Sequence, residues 1–376
     1  MSDWSGKYVI GLTGNIATGK SVVRKMLEHL GAYTIDADAL SHRAMAKGAP
    51  AYRPIIDYFG KWILTEDGEI DRAKLGALVF GVPDALKALE EIVHPFVAGA
   101  IELLAKRSGQ DVIVIEAIKL LEGNLAAKCD SIWVTDAPET LQVSRLMQKR
   151  GLSAGDALRR VRSQNSQKTK IDAADIVIDN TSSFEDLWKQ VSAGWEKSTN
   201  SRDEEEPTAV QEVQSGDFSV KRGHPRDSQI IAALVSRLGG IQMTSGDVMA
   251  AFGEKAFFIL KLGDNVVGLA GWQVENLVTR TTDLYVAPEI TLEGALKALV
   301  EEIEKASRSL QSEASLLFLN KGLASQEAIW KTLGYEKRMP KSLGVQAWYD
   351  AAHEVLSSDK TLYFKQLRMD RVLRPI

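Results

Sequence analysis

The chain has 376 residues, enough for two domains that each bury a core of their own. Its 46 basic and 50 acidic residues leave a formal net charge of −4, so it has no general attraction to nucleic acid or anionic lipid. Cys129 is the single cysteine, which excludes an intrachain disulfide and a cysteine-based metal cluster. The opening residues carry no signal-peptide pattern, and no apolar run reaches the length of a membrane span. A cytoplasmic protein without nucleic-acid or membrane partners is expected, and homo-oligomerisation is left open.

The first predicted strand is Tyr8 to Leu12, a short apolar run of the kind buried in parallel sheets. Gly14-Asn15-Ile16-Ala17-Thr18-Gly19-Lys20-Ser21 follows it and fits the full spacing of a phosphate-binding P-loop. Backbone N–H groups of such a loop wrap a polyphosphate, the lysine reaches the outer phosphates and the serine hydroxyl ligates Mg²⁺. The helix that follows is predicted from Val22, Val23, Met26, Leu27 and Leu30, with Gly31 as its stop. Gly14, Asn15, Ala17, Thr18, Gly19, Lys20, Ser21 and Val22 are therefore the expected nucleotide-binding residues, with Ser21 the metal ligand.

Four further strand-like runs follow: 33–35, 112–115, 132–134 and 176–178. Helical stretches separate them, the pattern of a parallel sheet covered on both faces. Polar or acidic residues follow each run, and ligands of open α/β sheets bind at the carboxyl ends of the strands. Asp36 and Asp38 follow the second strand and Glu116 the third. A carboxylate there can accept the proton of an attacking hydroxyl or hold Mg²⁺ through water. The competing reading is that the Asp-Ala-Asp cluster caps the next helix, with Asp38 as the N-cap. Arg145, Lys149, Arg150, Arg159, Arg160 and Arg162 crowd residues 143–164. They read either as a basic lid that closes over ATP or as an ordinary solvated helix face. The Asn-Lys-x-Asp signature of guanine recognition is absent from the sequence.

Residues 197–207 contain no apolar side chain before Pro207 and include Glu204-Glu205-Glu206. Such composition cannot offset ordering entropy, so 198–217 is expected to be an acidic flexible linker between a domain at 1–197 and another at 218–376. Beyond it, 257–262 and 265–272 read as a hairpin around Gly263-Asp264. Strands at 283–286 and 316–319, helices near 294–310 and 325–333, and a last strand near 362–367 complete an α+β domain.

The first domain resembles the dephospho-CoA kinases. The matching stretches are Gly11–Ser21, Ile35–Asp38, Gly48–Tyr52, Phe59-Gly60, Gly68–Arg72 with Leu75 and Val79-Phe80, His94-Pro95, Asp136–Thr140 and Ala174–Asn180. The resemblance implies an α/β P-loop kinase fold with a helical lid. It implies transfer of the ATP γ-phosphoryl group to the ribose 3′-hydroxyl of dephospho-CoA, with Mg²⁺. On this match Asp38 is the catalytic base, Lys20 and Ser21 form the phosphate and Mg²⁺ pair, and Arg72 and His94 lie near the acceptor with Asp36 and Glu116. Several positions depart from the family. Asn15 and Ala17 stand where the P-loop usually has glycine, Glu116 and Lys119 change the segment after the third strand, and Lys149-Arg150 replaces an Arg-Asp pair, with Arg150 standing in for the guanidinium. A kinase for another hydroxylated metabolite and a non-catalytic nucleotide or CoA sensor are the alternatives.

The second domain resembles the GNAT acetyltransferases in element order. The resemblance implies a pyrophosphate site with the pattern Arg/Gln-x-x-Gly-x-Gly/Ala, but here Thr291, Gly294 and Leu296 occupy those positions. A degenerate fold without acetyl transfer is expected, with the bulk of Leu296 impeding close approach of a pyrophosphate.

Overall fold

The computed structural model describes residue 4 and residues 6–199, 213–215 and 218–373. The chain opens with β1 (Tyr8–Thr13), α1 (Lys20–His29), β2 (Tyr33–Asp36), α2 (Ala37–Ala44), α3 (Tyr52–Phe59), α4 (Arg72–Gly81) and α5 (Pro83–Arg107). It continues with β3 (Val112–Glu116), β4 (Ser131–Asp136), α6 (Glu139–Arg150), α7 (Ala154–Arg162), α8 (Gln167–Asp172), β5 (Ile176–Asp179) and α9 (Phe184–Thr199). All five predicted strands are present, and they form one sheet in the order β2-β3-β1-β4-β5. Strand β1 pairs in parallel with β3 and β4, and β4 with β5. The apolar runs of β1 and β3 are buried on both faces, whereas Val177 of β5 is exposed. Ile10, Leu12, Val114 and Trp133 pack with Val23, Met26 and Leu27 of α1 and with Leu187 and Val191 of α9. The order of strands turns at β1, between β3 and β4, which puts the loop after β1 where open α/β sheets bind ligands.

The second half contains β6 (Val213–Ser215), β7 (Phe218–Arg222), α10 (Ser228–Gly239), α11 (Ser245–Ala251), β8 (Ala256–Leu262), β9 (Asn265–Glu275) and β10 (Val278–Val286). Then come α12 (Leu292–Ser309), β11 (Ala314–Leu319), α13 (Lys321–Ala324), α14 (Glu327–Thr332), β12 (Glu336–Lys337), α15 (Gln346–Val355) and β13 (Thr361–Gln366). Strands β6, β7, β8 and β9 pair antiparallel in sequence, and β13 pairs antiparallel with β11 and β12. The expected α+β class holds, and the structure adds α10, α11 and α15. The helix expected near 325–333 is α14, and the structure adds the short α13 just before it.

Part of the segment 198–217, expected to be a linker, is in described elements. Helix α9 runs through Thr199 and 213–215 form a strand, while 200–212 and 216–217 lie outside the described residues. Nor do the compact units follow that boundary. Residues 1–35, 109–273 and 281–305 form one, and 36–108, 274–280 and 306–376 the other, so each draws on both halves of the sequence. In the first unit, His29 at the end of α1 donates from Nε2 to the carbonyl of Phe252, 2.9 Å away just after α11. Burial, reinforced by the Arg222 charge, pushes the His29 pKa down to about 3, so the imidazole is neutral at ordinary pH. Among the described residues no helix is long and apolar enough to cross a membrane.

Candidate active site

The loop between β1 and α1 is built around two glycines. Gly14 has φ +147°, and a Cβ there would lie 2.5 Å from Thr135 Oγ1. Gly19 is the N-cap of α1 with φ +100°, and a Cβ there would lie 1.9 Å from Asn180 Nδ2. No side chain caps α1, so the first-turn N–H groups of Lys20 and Ser21 face outward at the positive end of the helix dipole. Buried Lys20 folds back over the loop and donates to the carbonyls of Gly14 (3.0 Å) and Asn15 (3.3 Å). Ser21 is exposed on the first turn. The buried Asn15 Oδ1 has no hydrogen-bond partner. Backbone donors at an uncapped helix start, one lysine and one exposed hydroxyl form a donor set that fits a polyphosphate with its metal ion.

Distant residues that spacing did not reveal hold the loop backbone in place. Gln164 Oε1 accepts from Ile16 N–H at 2.7 Å and Gln167 Oε1 from Asn15 N–H at 2.9 Å. Gln167 also donates to the Thr135 carbonyl at 2.9 Å. Arg145 on α6 donates to the carbonyls of Ala17 (3.0 Å) and Asn180 (2.8 Å), and Asn180 Nδ2 donates to the Thr18 carbonyl at 2.8 Å. Thr18 and Thr135 share a hydroxyl hydrogen bond of 2.7 Å. Asn180 was within reach of sequence reading, since it ends a matched stretch, but the two glutamines carry no local signal.

Of the two departures from glycine, Asn15 keeps an ordinary backbone and needs no glycine. Ala17 does not: its φ is +60°, in the left-handed region. An L-residue there costs about 1–2 kcal/mol, part of which glycine returns through the entropy of its unfolded chain. Ala17→Gly is expected to stabilise the protein by about 0.5–1 kcal/mol in denaturant unfolding. A loss instead would show that the Ala17 methyl, packed beside Leu146, Ala157 and Val161, matters more than the strain.

The basic segment divides in two. Arg145 touches the P-loop, whereas Arg150 sits exposed on the last turn of α6. Arg162 pairs with Glu139 at 2.9 Å and Arg159 with Asp156, so these two guanidinium groups are tied to their own surface. Helix α7 nevertheless covers Ile16 and Ala17 through Ala157 and Val161, the position a lid over the loop would take.

Glu116, expected on the acceptor wall, is buried beside Arg24 of α1 at 2.7 Å. The approach lacks hydrogen-bond alignment, so the contact is an ion pair. Lys119 is exposed. The remaining expected residues belong to the second compact unit. Asp36, not Asp38, is the N-cap of α2: its Oδ1 accepts from Ala39 N–H at 2.8 Å. The capping alternative for Asp38 is thereby removed, and its half-buried carboxylate lies in the first helical turn. Arg72 opens α4 behind the N-cap Asp71 and is exposed. His94 is exposed on α5, next to Pro95 inside that helix.

Residues 8–186 match the family profile described as CoaE: Dephospho-CoA kinase. A dephospho-CoA kinase of Carboxydothermus hydrogenoformans is 46% identical over 186 residues, 49% of this chain and 90% of that one. The chain belongs to the dephospho-CoA kinase family. A second dephospho-CoA kinase, from Geobacter sulfurreducens, is 41% identical over 50% of this chain and 98% of its own. These kinases thus match about half of this chain, and the family profile ends before α9 does. A GNAT-family acetyltransferase structure from Streptococcus pneumoniae aligns with 40% of this chain and 98% of its own, 11% identical with a TM-score of 0.31.

Proposed function

We propose that the chain transfers the γ-phosphoryl group of ATP to the ribose 3′-hydroxyl of dephospho-CoA, giving CoA and ADP, the last step of coenzyme A synthesis. The observation that carries this reading is the uncapped, glycine-built start of α1 in a chain of this family. Catalysis of phosphoryl transfer is mostly positioning and charge stabilisation. The outward N–H groups of Lys20 and Ser21 at the start of α1 hold the phosphates, and the Lys20 side chain supplies a fixed positive charge beside them. The exposed Ser21 hydroxyl would hold Mg²⁺, which would supply positive charge to neutralise the phosphates. Asp38 takes the proton of the 3′-hydroxyl, and Arg145, Arg150 and the α7 cover enclose the nucleotide.

In this reading residues 1–197 are the kinase domain and 218–376 a GNAT-like domain that transfers no acetyl group. The support is its element order and its degenerate helix start. Leu296 is fully buried and faces the core, so it does not block the helix start as the sequence suggested. The ring of Phe218 lies there instead, 3.0 Å from where a Cβ on Gly294 would be.

The full-length protein with ATP, Mg²⁺ and dephospho-CoA is expected to release ADP and form CoA in equal amounts, followed by coupled assay and mass spectrometry. ATP binding without CoA formation would move the assignment to another acceptor or to a sensor.

A further inference from the structure

The second compact unit contains an open cavity of about 190 Å³ between α2, α4 and α15. One wall lies within the family-matched residues: His42 on α2, Glu69 in the turn before α4, and Arg72 at the start of α4. The other is Gln346 and Asp350 of α15, far outside the region that matches the family. Met45 and Ile70 supply apolar surface between them.

The α15 wall is held firmly. Trp348 and Ala352 are buried in a cluster with Val278, Leu316, Phe318 and Leu362. Gln346 and Asp350 are offset from that pair by two positions, so they project from the opposite side of the helix. Gln346 Nε2 donates to Asp350 Oδ1 at 2.7 Å, which fixes both side chains in the cavity wall. Arg280 anchors the far end of the helix through Glu354 at 2.6 Å. A carboxylate offers about four lone-pair sites and this bond uses one, so the wall can accept hydrogen bonds from a ligand.

The two walls differ in chemistry. Burial and the neighbouring Arg72 charge hold His42 below its ordinary pKa, with Asp36 opposing. His42 is thus a neutral hydrogen-bonding group at pH 7, and Arg72 is the fixed cation of the pair. The cavity is smaller than the 300 Å³ or more typical of whole-ligand sites, so it suits one arm of a larger molecule. Dephospho-CoA has such a shape: an anionic diphosphate continues into an arm carrying two secondary amides, whose N–H groups need acceptors.

We propose that α15 forms part of the acceptor site, with Gln346 and Asp350 binding the amide-bearing arm of dephospho-CoA while Arg72 faces its anionic portion. The proposal rests on the kinase reading above and extends it: the appended half of the chain sets acceptor affinity. Neither residue takes part in the transfer itself, so ATP affinity and turnover are independent of them.

The test is steady-state kinetics of the full-length protein and of Asp350→Ala, Asp350→Asn and Gln346→Ala, varying ATP and dephospho-CoA separately. The expected result is a rise of about tenfold in KM for dephospho-CoA for Asp350→Ala, the size of losing a hydrogen bond to a charged group. Asp350→Asn, which keeps one acceptor oxygen, should rise less. The KM for ATP and kcat should stay within about twofold of wild type. Wild-type turnover with an unchanged KM for dephospho-CoA in all three variants overturns the role of α15 and leaves the kinase reading intact. A fall in kcat with unaltered KM also overturns it, since that indicates a structural role. Absence of CoA from the wild type overturns the kinase reading itself.

Discussion

Asp38→Asn is expected to lower kcat by about two to four orders of magnitude, the usual contribution of a positioned general base, while ATP still binds. Asparagine matches aspartate in shape and cannot accept the proton of the 3′-hydroxyl. The obvious objection to such a variant is that it unwinds the helix on which the residue sits. The structure answers it, because the cap of α2 is Asp36, whose carboxylate accepts from Ala39 N–H. Loss of the Asp38 charge from the first helical turn removes about 0.3–1 kcal/mol of favourable dipole interaction, too little to unfold the chain. ATP affinity should survive because the loop, Lys20 and Ser21 belong to the β1–α1 junction. Asp36→Asn is the matched control: asparagine caps a helix about as well as aspartate, so stability should hold. Single-turnover rates and ATP titrations on the two variants decide the matter. Near-normal turnover of Asp38→Asn would remove Asp38 from the role of base.

The same two residues show what the sequence could and could not say. The P-loop was legible in full because its geometry is local: eight consecutive residues, a buried strand before them and an amphipathic helix after. The partners that hold it were not. Gln164 and Gln167 meet the loop across about 150 residues of chain, and a glutamine in a polar stretch looks like any solvated side chain. Burial of both faces made β1 and β3 readable as apolar runs, and the predicted strand boundaries lie within a residue or two of the observed ones. In the second half, α15 was missed because most apolar residues of Gln346–Val355 are alanines, and only Trp348 and Ala352 are buried. The β9–β10 turn was missed for a different reason. Asn276 and Leu277 both have positive φ, at 51° and 59°, and a leucine there contradicts local preference. Tertiary bonds impose the turn: Glu313 N–H donates to the Leu277 carbonyl at 2.8 Å, and Arg43 Nη1 to the Asn276 carbonyl at 2.8 Å. Local chemistry cannot announce a conformation that residues far along the chain enforce.

Arg43 is for that reason the site of the largest expected stability effect. Its Nη2 lies 2.6 Å from Oε2 of Glu313, and the two side chains are 8% and 1% exposed. The guanidinium therefore neutralises a buried carboxylate and satisfies a strained turn at once. Arg43→Ala removes both partners and leaves Glu313 buried without its counter-charge, expected to cost about 3–5 kcal/mol in denaturant unfolding. Glu313 keeps one further donor, Val372 N–H at 3.2 Å from Oε1, which is too little to replace a cation. A double variant, Arg43→Met with Glu313→Leu, should recover most of the loss, because a buried pair replaced by apolar groups of similar size is often neutral or stabilising. Full additivity of the two single changes would instead show that water reaches Glu313 and that the pair is not coupled. The consequence reaches the chemistry, since Arg43 sits on α2, five residues beyond Asp38, and its partner lies outside residues 8–186, which the family profile matches. On the proposed reading, the helix that carries Asp38 is fixed through Arg43 by Glu313. Arg43→Ala should accordingly lower kcat even below its unfolding midpoint, and the double variant should restore stability before it restores rate.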